Sequence, residues 1–177
     1  MRKDLLTHFA FFLTSFVLIS LGRKWLSLDF VPFWLGGALG TFLPYLDNLI
    51  YIYLLRPDEK ISQKAVEYIN EKKVNVSLDL LVSTRAQRED LIFHSVYFQV
   101  VFAVFTFLVI SSSGNLFGRG IVLAFFLHLL ISQVMDYVEN KNLNSWFRKV
   151  SVTFDQGQTR LYLLANFIIF LLLAFVF

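Results

Sequence analysis

The sequence predicts an all-α protein, a polytopic transmembrane helical bundle of about five spans carrying a cytoplasmic amphipathic helical insert. Three observations carry that prediction. The chain is 56% hydrophobic with a mean hydropathy of +0.62, whereas soluble domains run about 45–50% apolar. Several of its apolar runs approach the roughly 20 residues that a membrane-crossing helix needs. Its one long polar stretch, residues 56–90, lies between two such runs. Residues 1–177 therefore read as a single bundle, with 56–90 as a polar insert between spans two and three.

The first span is Leu5–Leu21, which follows a short charged start and stops at Gly22-Arg23-Lys24. No small-x-small cleavage site follows it, so it reads as a retained helix rather than a signal peptide. His8 near its beginning is expected to be an interfacial histidine. The second span is Phe30–Leu55. Its Gly36-x-x-x-Gly40 spacing allows another helix to approach closely. Pro44 removes a backbone donor and is expected to kink the span just before Asp47 and Asn48. In the insert, Ile61, Ala65, Tyr68 and Ile69 recur at helical spacing, which predicts an amphipathic helix over Ser62–Lys72. Val74–Val82 alternates as a strand would, but a lone strand there has no evident partner, so helix is preferred.

The third span is Leu91–Ile110, with His94 near its start. Ser111–Asn115 is a tight polar turn. The fourth, Gly118–Tyr137, is apolar enough to cross a bilayer, yet it holds His128, Ser132, Gln133 and Asp136. Such groups are costly in hydrocarbon and face a bundle interior or a watery cavity by default. Leu143, Trp146, Phe147 and Val150 then recur as a short helix in the headgroup region would. The last span is Leu161–Phe177, in which Asn166 reads as a packing residue.

The absence of cysteine excludes disulfides, thiolate metal sites and a cysteine nucleophile. A net charge of +3 and a pI near 9.2 do not call for nucleic acid. In a membrane protein, excess Lys and Arg mark the cytoplasmic face. The basic residues of the start, of Arg56–Arg88 and of Lys141–Arg160 fall on one side of a five-span arrangement, and Arg23, Lys24 and Arg119 on the other. This places the N-terminus in the cytoplasm. It also gathers Asp47, His94, His128 and Asp136 into the cytoplasmic half of the bilayer, as one polar cavity would. His128, Ser132 and Asp136 share a stripe, because steps of four residues advance only about 40° around a helix. His128 and Asp136 are nonetheless about 12 Å apart along the axis, a strained reach for two ligands of one ion at about 2 Å each. The Lys/Glu mixture of Asp58–Lys73 reads as a solvated face. Membrane lipids are the expected partners, and the partner of 56–90, if it docks one, is left open.

Leu43–Asn48 (L-P-Y-L-D-N), Phe93–Ser95 (F-H-S) and His128–Ser132 (H-L-L-I-S) together resemble a family. It is the membrane-bound metal-dependent hydrolases related to the LexA-regulated inner-membrane protein, whose pattern is roughly L-P-D-x-D-H, H-R-G-x-T-H-S and S-H-x-x-x-D. The resemblance covers about Gly36 to Asp136. It implies a multi-pass inner-membrane protein with a divalent metal, zinc or manganese, held by Asp47, His94 and His128. Tyr45 stands where the family has its first Asp, Asn48 where it has His, and Glu89 and Asp90 where it has His and Arg. Ser132 replaces its last Asp, with Asp136 one turn further on. Glu89 or Asp136 would then serve as general base, polarising a metal-bound water.

Two functions follow from different classes. One is a metal-dependent hydrolase acting on a lipid-like or other amphiphilic substrate in the cytoplasmic leaflet. The other is a non-enzymatic membrane protein, structural or partner-binding, in which the same polar residues lock helix packing through interhelical hydrogen bonds. A small transporter ranks third, since no internal repeat suggests alternating access.

Overall fold

The computed structural model describes residues 2–88, 90–150 and 154–176. Among these, helix is the only regular structure and no strand occurs. Four helical segments are long and apolar enough to cross a membrane: Asp4–Gly22, Leu28–Leu55, Leu116–Asn140 and Gln156–Phe175.

Helix α1 spans Arg2–Gly22. It turns its Phe12, Phe16 and Ile19 inward and leaves Leu6, Phe11 and Leu18 outward-facing, as a helix at a bundle's lipid edge does. After a turn through Lys24, which adopts a positive φ of 57°, a 3-10 turn at Leu28–Phe30 leads into α2, Val31–Phe42. Pro44 interrupts the helix as expected. A 3-10 turn at Leu43–Tyr45 precedes α3 (Leu46–Ile50), and a π turn over Tyr51–Leu55 closes the span.

The insert is a helical hairpin of α4 (Lys60–Asn70) and α5 (Val74–Ser83). The alternating stretch after Val74 is thus helical. Its Ser77 hydroxyl donates to the Ala65 carbonyl at 2.9 Å. Ala65 and Leu81 pack on Tyr51 and Ile52, so the hairpin is fastened to the end of the second span rather than hanging free.

The third span begins later than the sequence suggests. Residues 91–95 are not helical, and α6 starts only at Val96 and runs to Ser112. Its 17 residues reach about 26 Å at 1.5 Å each, the short end of what crosses a bilayer. The cause is local. Ser95 caps the helix by accepting from the Phe98 amide, and the three amides before it are held elsewhere, by Asp47.

Helix α7, Leu116–Asn140, is the central pillar, buried along most of its length. Its tightest partner is α2. A methyl group at Gly36 would lie 2.1 Å from the Phe117 carbonyl oxygen, and one at Gly40 would lie 2.3 Å from that of Ile121. Reciprocally, one at Gly120 would meet the Phe33 oxygen at 2.1 Å. The glycine spacing in the second span thus lets two backbones touch, and the partner is the fourth span. The short α8 (Asn144–Phe147) and α9 (Gln156–Phe175) complete the chain. Helix α9 starts five residues before the predicted Leu161, because Asp155 and Gln158 form a reciprocal capping box.

Between α6, α7 and α9 runs a buried amide network. The Gln99 carbonyl accepts from Gln133 and from the Tyr162 hydroxyl (2.9 Å), and its amide donates to Asn166 at 3.1 Å. Asn166 is a packing residue, as expected.

Candidate functional site

The start of α1, the end of the second span, residues 91–95 and the later half of α7 meet at one end of the bundle. There all three histidines of the chain come together. The His8 and His128 rings stack with centroids 3.9 Å apart, and His94 lies edge-on to His128 at 6.3 Å. Polar groups scattered along the sequence are thus gathered at one end of the bundle.

Asp47 is fully buried, and both its oxygens are used. Oδ1 accepts the Ile92 amide at 2.8 Å. Oδ2 accepts the amides of Phe93 (3.0 Å) and His94 (3.2 Å) and lies 2.9 Å from His94 Nδ1. A carboxylate only accepts here, so Nδ1 carries the proton. This fixes the tautomer and leaves Nε2 as the basic nitrogen. The pairing is that of the acid–histidine half of a hydrolytic triad.

His8 belongs to the cluster rather than to the interface. Its Nδ1 donates to the Asp4 carbonyl at 2.8 Å, and its Nε2 accepts the Ser132 hydroxyl at 3.1 Å. Asp4 is itself buried and accepts the Tyr45 hydroxyl at 2.8 Å. Tyr45, which stands where the resemblance expects an aspartate, therefore binds a carboxylate supplied by α1. His128 Nδ1 is buried without a hydrogen-bond partner. Asp136 is held by the Arg85 guanidinium at 2.5 Å and by the Trp146 indole at 2.7 Å.

Beside His94 lies a cleft of about 10 Å³, room for about one water, lined by Arg85, Arg88, Ser95, Asp136, Trp146 and Lys149. Arg88 is only 3% exposed. Its Nη2 donates to the Asn48 side-chain oxygen at 2.8 Å and to the Leu81 carbonyl at 2.5 Å, and the group lies 5.1 Å from the Tyr51 ring centre. Burial pushes this guanidinium down to about 10, against the pull of Tyr51 and Asp47. Its Nε and Nη1 have no hydrogen-bond partner among the described residues. Lys149 reaches Asp90 at the mouth at 3.9 Å.

The sequence-level candidates thus divide. Asp47 and His94 are bonded to each other, His128 lies next to His94, and Asp136 lies across the cleft. Glu89 falls outside the described residues. Among the described residues no three His, Asp or Glu groups are arranged to hold a metal ion. Asp47 is committed to three amides and an imidazole, and His128 meets His8 face to face rather than through converging nitrogens. The arrangement does not fit the three-ligand set that the resemblance implies.

Sequence reasoning missed Asp4, Arg85 and Arg88. Asp4 precedes His8 by one helical turn, a spacing that could have paired them. The two arginines sit in a stretch with no apolar period, and nothing in the sequence points them inward. No family model matches the chain, no curated protein matches it, and no solved structure matches its fold.

Proposed function

We propose that this cleft is the acid–base centre of a membrane hydrolase acting on a lipid-like, amphiphilic ester at the cytoplasmic surface of the inner membrane. The supporting observation is the buried Asp47–His94 pair, with the unprotonated nitrogen of His94 beside a cationic cleft. His94 Nε2 takes a proton from water as the water oxygen bonds to the ester centre. The imidazolium, steadied by Asp47, returns the proton to the departing alkoxide as the ester bond breaks. Arg85 and Arg88 offset the negative charge that develops on the attacked group. The metal-dependent version has less support, because Asp47 lacks a free lone pair directed at a shared ion, and no step is routed through one. The cytoplasmic placement rests on the Lys and Arg of 56–90 and 141–160 lying at the same end of the bundle as the cleft.

One observation favours the non-enzymatic reading. Asp47 ties residues 92–94 to the second span, as a purely structural staple would. Turnover decides between them. Purified wild-type protein and His94→Gln are assayed with short-chain phosphate and carboxylate esters in detergent micelles. General-base loss should lower kcat about 100-fold or more, with the fold retained by circular dichroism. Equal rates in the two proteins would overturn the catalytic reading and leave the staple.

A further inference from the structure

We propose that Arg88, with Arg85 and Lys149, forms a phosphate-binding subsite in this cleft, so that the group it recognises is a phosphate ester; the proposal takes the acid–base reading of the same cleft as its starting point. The argument begins from Arg88. A guanidinium has five N–H donors and no means of losing its charge cheaply when buried. Here one nitrogen is satisfied by Asn48 and Leu81, and two are not. Carboxylates lie in the neighbourhood, but among the described residues none accepts a hydrogen bond from Arg88. Glu59 takes the Tyr51 hydroxyl instead, and Asp47 is filled by the 92–94 amides. Arg88 lines a cleft of about 10 Å³, room for one water, so an anion reaches its two unused donors as the half-exposed Lys149 at the mouth moves aside.

The rest of the cleft selects the kind of anion. Among its described lining residues three cations face one carboxylate, and that carboxylate, Asp136, is already paired with Arg85. An excess of positive charge favours a doubly charged oxyanion over a single carboxylate. Arginine's forked donors match phosphate oxygens two at a time. Lys149 is half-exposed and holds Asp90 only loosely, so it is free to exchange that partner for an anion entering from the mouth. His94 lies on the same wall, where its basic nitrogen can serve water attacking the bound phosphorus.

Equilibrium binding tests this without turnover. Detergent-solubilised full-length protein is titrated with inorganic phosphate, with dihexanoyl phosphatidic acid and with dihexanoyl phosphatidylcholine. Inorganic phosphate and phosphatidic acid should bind, and phosphatidylcholine, whose phosphate is a monoanionic diester, should bind more weakly. Equal affinity for the first two identifies free phosphate as sufficient, and tighter phosphatidic acid identifies a lipid headgroup. Arg88→Gln should weaken both by about 10- to 100-fold, the effect of a charge-assisted hydrogen bond. Lys149→Gln, at an exposed position, should weaken them severalfold and serves if the Arg88 variant does not fold. Absence of phosphate binding, or binding unchanged in both Arg88→Gln and Lys149→Gln, would overturn the subsite. Such a result would leave the hydrolase reading to its own test, loss of turnover in His94→Gln.

Discussion

Replacing Asp47 by alanine should unpick the start of α6 before it touches the rest of the bundle. The carboxylate accepts three backbone amides and an imidazole, and it is fully buried. Alanine leaves those donors without a partner. The Ile92 amide lies under a residue that is partly exposed, so water can recover it. The Phe93 and His94 amides are less easily reached. At about 1–3 kcal/mol for each buried donor left unmet, two of them cost roughly 2–6 kcal/mol. Asp47→Asn keeps one acceptor oxygen and should cost about half as much, the loss falling on whichever amide faces the new NH2. His94→Ala leaves the carboxylate bound to three amides and should cost only about 1–2 kcal/mol. Amide hydrogen exchange of the detergent-solubilised protein, read by mass spectrometry, resolves these. Peptides covering 91–96 should exchange at least about 30-fold faster in Asp47→Ala, the kinetic equivalent of the lower bound. Peptides from the middle of α7 should be unchanged. Wild-type protection over 91–96 in Asp47→Ala, or equal loss in Asp47→Ala and His94→Ala, would refute the view that this carboxylate stands in for the first turn of the helix.

Two further expectations concern the bundle itself. Gly40→Ala adds a methyl 2.3 Å from the Ile121 carbonyl, so α2 and α7 must part. Crowding of about 1–3 kcal/mol should outweigh the roughly 1 kcal/mol that alanine contributes in a helix interior; a higher Tm in Gly40→Ala would refute the contact. Gln99→Leu removes the hub joining Gln133, Tyr162 and Asn166, and at about 0.6–1.7 kcal/mol per interhelical bond should destabilise by about 2–5 kcal/mol in denaturant titration. A second change, Asn166→Leu, should then add little, because the two residues share one bond.

Much of the fold was legible because hydrophobic length and helical spacing act locally. The apolar runs, the kink at Pro44, the amphipathic Lys60–Asn70 helix and the close-packing glycines all depend on residues a few positions apart. That Asp47, His94 and Asp136 lie at one end of the bundle was legible too, since antiparallel helices convert sequence position into position along the bundle axis. Two features were not. The non-helical run 91–95 looks in sequence like the opening turn of a span, and only a carboxylate 45 residues away redirects its amides. The inward turn of Arg88 likewise rests on Asn48, Leu81 and Tyr51, which reach it from other elements. Periodicity reports the face a residue presents on its own helix, and it is silent about a loop whose conformation is decided by distant partners.

The bare backbone contact between α2 and α7 also has a consequence for biosynthesis. About 80 residues separate Gly40 from Gly120, so at roughly 5–20 residues per second the ribosome needs some 4–16 s to supply the second glycine after the first. During that interval the glycine strip of α2 lacks the helix whose backbone it fits. The nascent bundle stays open until the fourth span arrives, and final closure is a late, post-insertion event in the life of the chain.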